Sequence, residues 1–378
     1  MQILHISDTH LGCMQFNLKE REEDVYEAFN EAIDTAVKDR VDAVIHAGDI
    51  FHTPKPSGTA MLRLGEALKK LNEYGIRFFF ILGEHDISRV RDTPSPYVFH
   101  RLGMATYVGD GKPHIHKDML LIGFHKHKKS ESDDLRGKLR SIINLADAKR
   151  RVLLLHQGLG EFHPYANELS MNDLPLGFNY YAMGHLHDHA MKPYGDGVVC
   201  YPGSIDPTPG EGIREFKKGF CIVDLSGSEA RVDFIQVRSS RRHMEYVIEY
   251  ERLDDLISRV REDVKGLKKK PVVAVRIKGS KGIDSATIAS ILSRLNDICL
   301  HYRWEVESTS KASAGRLYDA KPDIDKELLK LAKDALANED HANLAINELL
   351  PLLSDGDVDG AIDMIWKRFE EGRSATGR

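Results

Sequence analysis

Five short segments of this 378-residue chain end in side chains that can bind a cation or move a proton: Asp8-Thr9-His10, Gly48-Asp49, Gly83-Glu84-His85-Asp86, His156 and Gly184-His185-Leu186-His187. Each follows a β-rich run: Ile3–Ser7, Val44–Ala47, Phe78–Leu82, Val152–Leu155 and Tyr180–Met183. The carboxyl ends of sheet strands are where open α/β folds place ligands. Five such ends converging would gather roughly seven oxygen and nitrogen donors, a set that suits Mn, Fe, Zn or Co because it mixes imidazole and carboxylate without thiolate. D-x-H and H-x-H on an extended segment send both side chains to one face, so each segment could clamp one cation. Glycines before Asp49, Glu84 and His185 permit tight turns and close backbone approach. D-x-H or G-D alone is commonplace; the five together, in order and each at a strand end, point to a metal centre.

Histidine distribution agrees. Of 18 histidines, 15 lie before residue 190. Five of them invite a plainer reading: His5, His46 and His100 as packed or hydrogen-bonded, His125 and His127 as exposed or near a phosphate. Composition excludes other classes. With 42% hydrophobic and 29% charged residues and a net charge of −5, the chain reads as globular. Net charge alone neither announces nor forbids a nucleic-acid partner, because a local basic face can serve. Cys13, Cys200, Cys221 and Cys299 form no C-x-x-C pair and read as reduced thiols of a cytosolic protein. No apolar stretch approaches the roughly 20 residues of a membrane span, and the first residues lack a signal-peptide pattern.

The positioning elements follow from periodicity. Further strands are expected at Leu120–Gly123, Val198–Tyr201, Phe220–Asp224 and Val232–Gln236, and helices at Glu22–Val37 and Thr59–Tyr74. Strand–helix alternation at the start argues for parallel pairing. The later strands, with few helices between them, argue for a second, more antiparallel sheet. The fold class expected is α/β (α+β): a two-sheet β-sandwich flanked by helices over residues 1–240. A small α/β domain follows at 243–310, with Tyr302, Trp304 and Val306 alternating inward. Residues 311–322 read as a linker, and residues 323–372 as a helical segment whose stripes include Leu328, Leu349, Ile362, Ile365, Trp366 and Phe369.

The order DxH, GD, GNHD, H, GHxH resembles the signature of calcineurin-like metallophosphoesterases over roughly residues 1–225. Within that superfamily the chain is similar to DNA double-strand-break repair nucleases of the bacterial SbcD and archaeal meiotic-recombination-nuclease type. SDTHLG at Ser7–Gly12, Gln15-Phe16-Asn17, GDIFHTPKP at Gly48–Pro56, YPGSID at Tyr201–Asp206 and KGFCIVDL at Lys218–Leu225 carry this likeness. The protein-phosphatase forms GDxVDRG and RGNHE are absent.

The resemblance implies two Mn²⁺, with Mg²⁺ or other divalent cations as alternatives, held by Asp8, His10, Asp49, His156, His185 and His187, with Asp49 bridging. His85 and His52 would face the phosphate as catalytic groups, His85 as proton donor oriented by Asp86 or Asp49. One departure stands out: Glu84 occupies the place of the family's asparagine, and we expect it to ligate. Lys55, Arg89, Arg91, Lys126 and Lys128, all near these motifs, are candidate DNA phosphate contacts. The implied activity is a Mn-dependent 3′–5′ exonuclease and single-strand endonuclease, cytoplasmic and nucleoid-associated. The implied partners are an SMC-like ABC ATPase on the C-terminal helices and a second copy of the chain, paired through Thr59–Tyr74 and Pro94–Leu102. The competing readings are a small-substrate phosphodiesterase and a non-catalytic scaffold that tethers DNA ends.

Overall fold

The structure is a computed structural model that describes residues 1–88, 92–142, 148–279, 285–306, 324–336, 338–354 and 360–368. Arg89, Arg91, Phe369 and the 311–322 segment lie outside the described residues.

Residues 1–240 begin with β1 (Gln2–Ile6), α1 (Lys19–Lys38), β2 (Ala43–Ala47), α2 (Gly58–Glu73), β3 (Arg77–Ile81), α3 (Ser95–Arg101) and β4 (Thr106–Tyr107). There follow β5 (His114–His116), β6 (Met119–Phe124), α4 (Ser132–Arg140), β7 (Arg150–His156), β8 (Tyr180–Gly184), β9 (Ala190–Tyr194), β10 (Gly197–Tyr201), β11 (Gly219–Asp224) and β12 (Arg231–Gln236). They form two six-stranded sheets, ordered β12-β11-β1-β2-β3-β4 and β5-β6-β7-β8-β10-β9. Strands buried on both faces read as unbroken apolar runs, such as Phe78-Phe79-Phe80-Ile81. Residues on one face of β1–β3, including Ile3, Ile45, Phe79 and Ile81, pack against Leu121, Val152, Leu154 and Ala182 of the facing sheet. The opposite faces bury Leu4, Val44, Phe78 and Phe80 under α1 and α2, and Leu120, Leu153 and Leu155 with Leu135 and Leu139 of α4. The result is a sandwich of two sheets with helices outside.

The expectation of a more antiparallel second sheet is corrected. β6, β7, β8 and β10 run parallel, and only the edge strands β5 and β9 are antiparallel. Crossovers make this possible: α4 joins β6 to β7, and the long 157–179 loop joins β7 to β8, so helices are not needed between every pair. Both sheets therefore aim carboxyl ends of parallel strands at a common edge.

A smaller parallel sheet follows in the order β13 (His243–Glu249), β14 (Val272–Lys278), β15 (His301–Val306), packed on α5 (Leu253–Asp263) and α6 (Ser285–Leu292). Tyr302 and Trp304 join this core; Val306, expected to face inward, is 37% exposed. These elements and the two large sheets form one compact unit, residues 1–127 with 131–309. The second unit, 128–130 with 310–378, holds α7 (Ile324–Leu336), α8 (Glu339–Asn343), a π-helical turn (Leu344–Leu349), α9 (Leu350–Ser354) and a helical stretch at 360–368. Leu331, Leu353, Ile362, Ile365 and Trp366 are exposed there. No described helix is long and apolar enough to cross a membrane.

Candidate metal centre

The five segments meet at the shared edge. His156 is the last residue of β7; its Nδ1 donates to the Ala47 carbonyl at the end of β2, 2.7 Å away, which ties one sheet to the other. That bond commits Nδ1, so Nε2 is the nitrogen that faces the site and takes either a second proton or a cation. Nε2 lies 3.6 Å from Asp49 Oδ2, 2.8 Å from Glu84 Oε2 and 4.0 Å from Asp8 Oδ1. Across the site, His10 Nε2 is 3.8 Å from the same Asp49 Oδ2, and His187 Nε2 is 3.8 Å from Asp8 Oδ1. Two donor groups result, Asp8–His10–His187 and Glu84–His156–His185, with Asp49 reaching both.

The expectation that strand alternation lets each D-x-H or H-x-H segment clamp one cation is corrected: these residues lie beyond the strands, and His185 and His187 fall in different donor groups. Asp8 and His10 lie beyond β1 in left-handed turns, φ 50° and 44°; Asp49 (φ 54°) and His185 (φ 95°) are also left-handed. Such backbone is rare for residues with a Cβ, costs about 1–3 kcal/mol apiece, and gathers at functional sites. Neighbouring hydrogen bonds impose it: Asp8 N donates to Gly48 O, His10 N to Asp49 O and His185 N to the Asp8 carboxylate. Gly83 is needed for proximity, since a Cβ there would stand 2.1 Å from Asp49 Oδ1.

Glu84 bridges two imidazoles, its Oε1 2.8 Å from His185 Nδ1 and its Oε2 2.8 Å from His156 Nε2. His85 Nδ1 donates to the His52 carbonyl, 2.9 Å away, and the two rings stack at 5.6 Å. This corrects the expected orienting groups. Asp86 is fully buried and spends its carboxylate on the backbone amides of Ile50, Phe51 and Gly83, while Asp49 Oδ1 accepts from the His85 backbone rather than its ring.

His5 and His46 are buried and hydrogen-bonded, and His100 accepts from the Tyr107 amide. His125 is held by Tyr107 and Gly109, and His127 is 6% exposed with its Nε2 3.1 Å from Lys138 Nζ, so neither is a free surface group. Lys126 is nearly buried, 2.5 Å from Glu168 and 4.0 Å from Glu84. Lys55 and Lys128 are exposed.

Residues that the motifs did not announce complete the surroundings. Thr208 Oγ1 is 3.0 Å from His187 Nδ1 and belongs to a capping box with Glu211, whose T-x-x-E spacing was the available signal. Fully buried Arg21 joins Gln15, Asp24 and Asp206, and Asp24 also binds Arg241 and Lys269 from the β13 side. Gln15 and Asp206 thus owe their places in the opening and closing motifs to one arginine.

Over residues 1–228 the chain matches the calcineurin-like phosphoesterase superfamily domain. The DNA double-strand break repair protein Mre11 of Saccharolobus solfataricus is 30% identical over 383 residues, covering 98% of each chain. This chain belongs to the calcineurin-like phosphoesterase superfamily, in its Mre11 branch. The Mre11 protein of Sulfolobus acidocaldarius is 32% identical over 80% of this chain and 81% of its own. That of Methanococcus maripaludis is 37% identical over 60% and 64%.

The residues present fit the divalent cations that the superfamily implies. His156 Nε2 and His185 Nδ1 are buried nitrogens without an aligned hydrogen bond. His10 and His187 turn Nε2 atoms toward each other at 3.4 Å. Burial, aided by the Glu84, Asp8 and Asp86 carboxylates, raises the Asp49 carboxyl well above its usual range despite His156. Burial opposes protonation of His156, but Asp49 and Glu84 outweigh it and push its pKa up to about 10. A cation can replace those protons and satisfy both groups at once.

Proposed function

We propose that this protein is a DNA nuclease in which Asp8, His10, Asp49, Glu84, His156, His185 and His187 hold two Mn²⁺ and His85 and His52 serve the phosphate. The observation that carries the reading is the pair of donor groups sharing Asp49, with the His85 and His52 rings beside them. Bound divalent cations supply acidified water and neutralise charge on the phosphate oxygens. His85 supplies what they do not. Its Nδ1–H is committed to the His52 carbonyl, so Nε2 is the end that delivers a proton to the leaving alkoxide as the P–O bond breaks. His52 lies next to it as a donor toward the charged phosphoryl oxygens. The names of the relatives support DNA at double-strand breaks as substrate and repair of those breaks as the setting.

Lys55 and Lys128, with Arg89 and Arg91, are our candidates for phosphate contacts, and Lys126 acts by holding Glu84 and Glu168 in place. Residues 243–310 would cap the DNA as a domain distinct from 1–240, and 323–372 would dock an SMC-like ABC ATPase through exposed Ile362, Ile365 and Trp366. Exposed Leu62, Tyr74, Val98 and Leu102 support a homodimer face on α2 and α3.

Nuclease assays on single- and double-stranded DNA with Mn²⁺, Mg²⁺ or chelator test the proposal. Mn²⁺-dependent 3′–5′ degradation and single-strand cleavage are expected, lost with His85→Ala while Mn²⁺ binding persists. Turnover of a small phosphodiester but not DNA would favour a small-substrate enzyme; DNA binding without any cleavage would favour a tethering scaffold.

A further inference from the structure

His187 reaches its place by a chain of bonds that begins far away in sequence. Thr208 stands at the start of the 3₁₀ turn Pro209–Glu211. Glu211 Oε2 accepts from the Thr208 amide at 2.7 Å and from the Thr208 hydroxyl at 3.0 Å. The hydroxyl proton is therefore committed, and toward His187 the oxygen can only accept. His187 Nδ1, 3.0 Å away, must then carry a proton, so in the neutral ring Nε2 is the bare nitrogen, facing Asp8 and His10. Lys218 Nζ closes the arrangement by donating to the His187 carbonyl at 2.8 Å and binding Glu211 Oε1. Gln15 Nε2 holds the Thr208 carbonyl at 3.1 Å, and its Oε1 is fixed by Arg21 at 3.0 Å and by His243 of β13 at 3.3 Å. Thr208 is 6% exposed, Lys218 3% and Gln15 1%, so water does not compete for these bonds.

We infer that Thr208, backed by Glu211 and anchored by Gln15, is a positioning residue that sets the tautomer and orientation of His187 for one of the two cations. The inference rests on the proposed two-cation site. Outer partners of metal-bound histidines matter because they raise ligand basicity and remove rotational freedom. Thr208→Val keeps the shape and removes the hydroxyl, leaving Nδ1 the longer contact to Glu211 Oε2 at 3.6 Å, so the ring is held less firmly to one tautomer. Thr208→Ser restores the hydroxyl.

The test is Mn²⁺ titration of the full chain without DNA, by calorimetry, together with ¹⁵N shifts of the His187 ring. For Thr208→Val we expect one Mn²⁺ to weaken about 10–100-fold, the other to stay at parental affinity, and the His187 ring to lose its single tautomer. Thr208→Ser should restore both readouts. Two parental affinities in Thr208→Val overturn the inference alone. A parent that binds no Mn²⁺ overturns the two-cation reading and the inference with it. Should Thr208→Val fail to fold, Gln15→Leu, which frees the Thr208 carbonyl, serves instead; it should weaken the same Mn²⁺ and no other, and unchanged binding counts against the inference.

Discussion

Replacing Gly83 by alanine should disable the enzyme while leaving the fold intact. A Cβ at this position would lie 2.1 Å from Asp49 Oδ1 and 2.5 Å from the Asp49 amide, against the 3.0 Å that real contacts respect. The conflict is with the carboxylate that reaches both donor groups and with its own backbone, not with the far end of a flexible chain. Asp49 must therefore retreat by about 0.9 Å. Displacement of a catalytic group by roughly 1 Å costs about 10²-fold in rate. Asp49 serves both donor groups, so the binding of both cations should weaken together. The assay is Mn²⁺-dependent DNA hydrolysis, with calorimetric Mn²⁺ titration and circular dichroism on the same samples. Gly137→Ala in α4, where a new Cβ meets nothing within 4 Å, is the control and should behave as the parent. A folded Gly83→Ala protein with parental turnover would refute the claim that the Gly83–Asp49 contact sets the site.

Other outcomes follow from the same geometry. Glu84→Ala should weaken the cation at His156 and His185 by at least the roughly tenfold that even an outer partner is worth, while Glu84→Asn, keeping an oxygen, falls between; three equal Mn²⁺ affinities would show that Glu84 does not ligate. Asp24→Ala strips the shared carboxylate from Arg21, Arg241 and Lys269 and should destabilise by about 3 kcal/mol in chemical denaturation; an unchanged midpoint would mean these cations are satisfied elsewhere. Burial, reinforced by Arg21, holds His243 down to about 4, so it stays neutral in the folded chain while the unfolded chain takes up a proton. Stability from this group is present above pH 6.5 and is lost as pH falls toward 4, in total about 3 kcal/mol. His243→Gln should flatten that part of the stability–pH curve, and identical slopes in both proteins would remove His243 as the cause.

Much of this was legible because each candidate ligand lies at or just beyond the end of a strand. Ile3, Val44, Phe78, Val152 and Tyr180 announce strands by apolar runs, and chemistry-bearing residues follow each run directly. The means of convergence was hidden. Asp8, His10, Asp49 and His185 adopt left-handed backbone without being glycine, and their propensities give no sign of it. The parallel second sheet was hidden too, since a loop replaces the helix that usually marks a crossover between β7 and β8. Thr208 and Glu211 lie more than 20 residues from His187, and Arg21 meets Asp206 from the other end of the domain; such partners are chosen by packing, not by local pattern. Residue types, read alone, made His125 and His127 exposed or near a phosphate; Tyr107 and Gly109 hold His125 half-buried, and His127 is buried with Lys138 beside it.

The central claim is that two cations share Asp49 in one centre. Electron paramagnetic resonance of the protein loaded with increasing Mn²⁺ tests it most directly. We predict that a second equivalent binds and that the six-line signal of isolated Mn²⁺ gives way to that of an exchange-coupled pair, with Asp49→Ala abolishing the coupling. One equivalent bound, or two with no coupling, would contradict it.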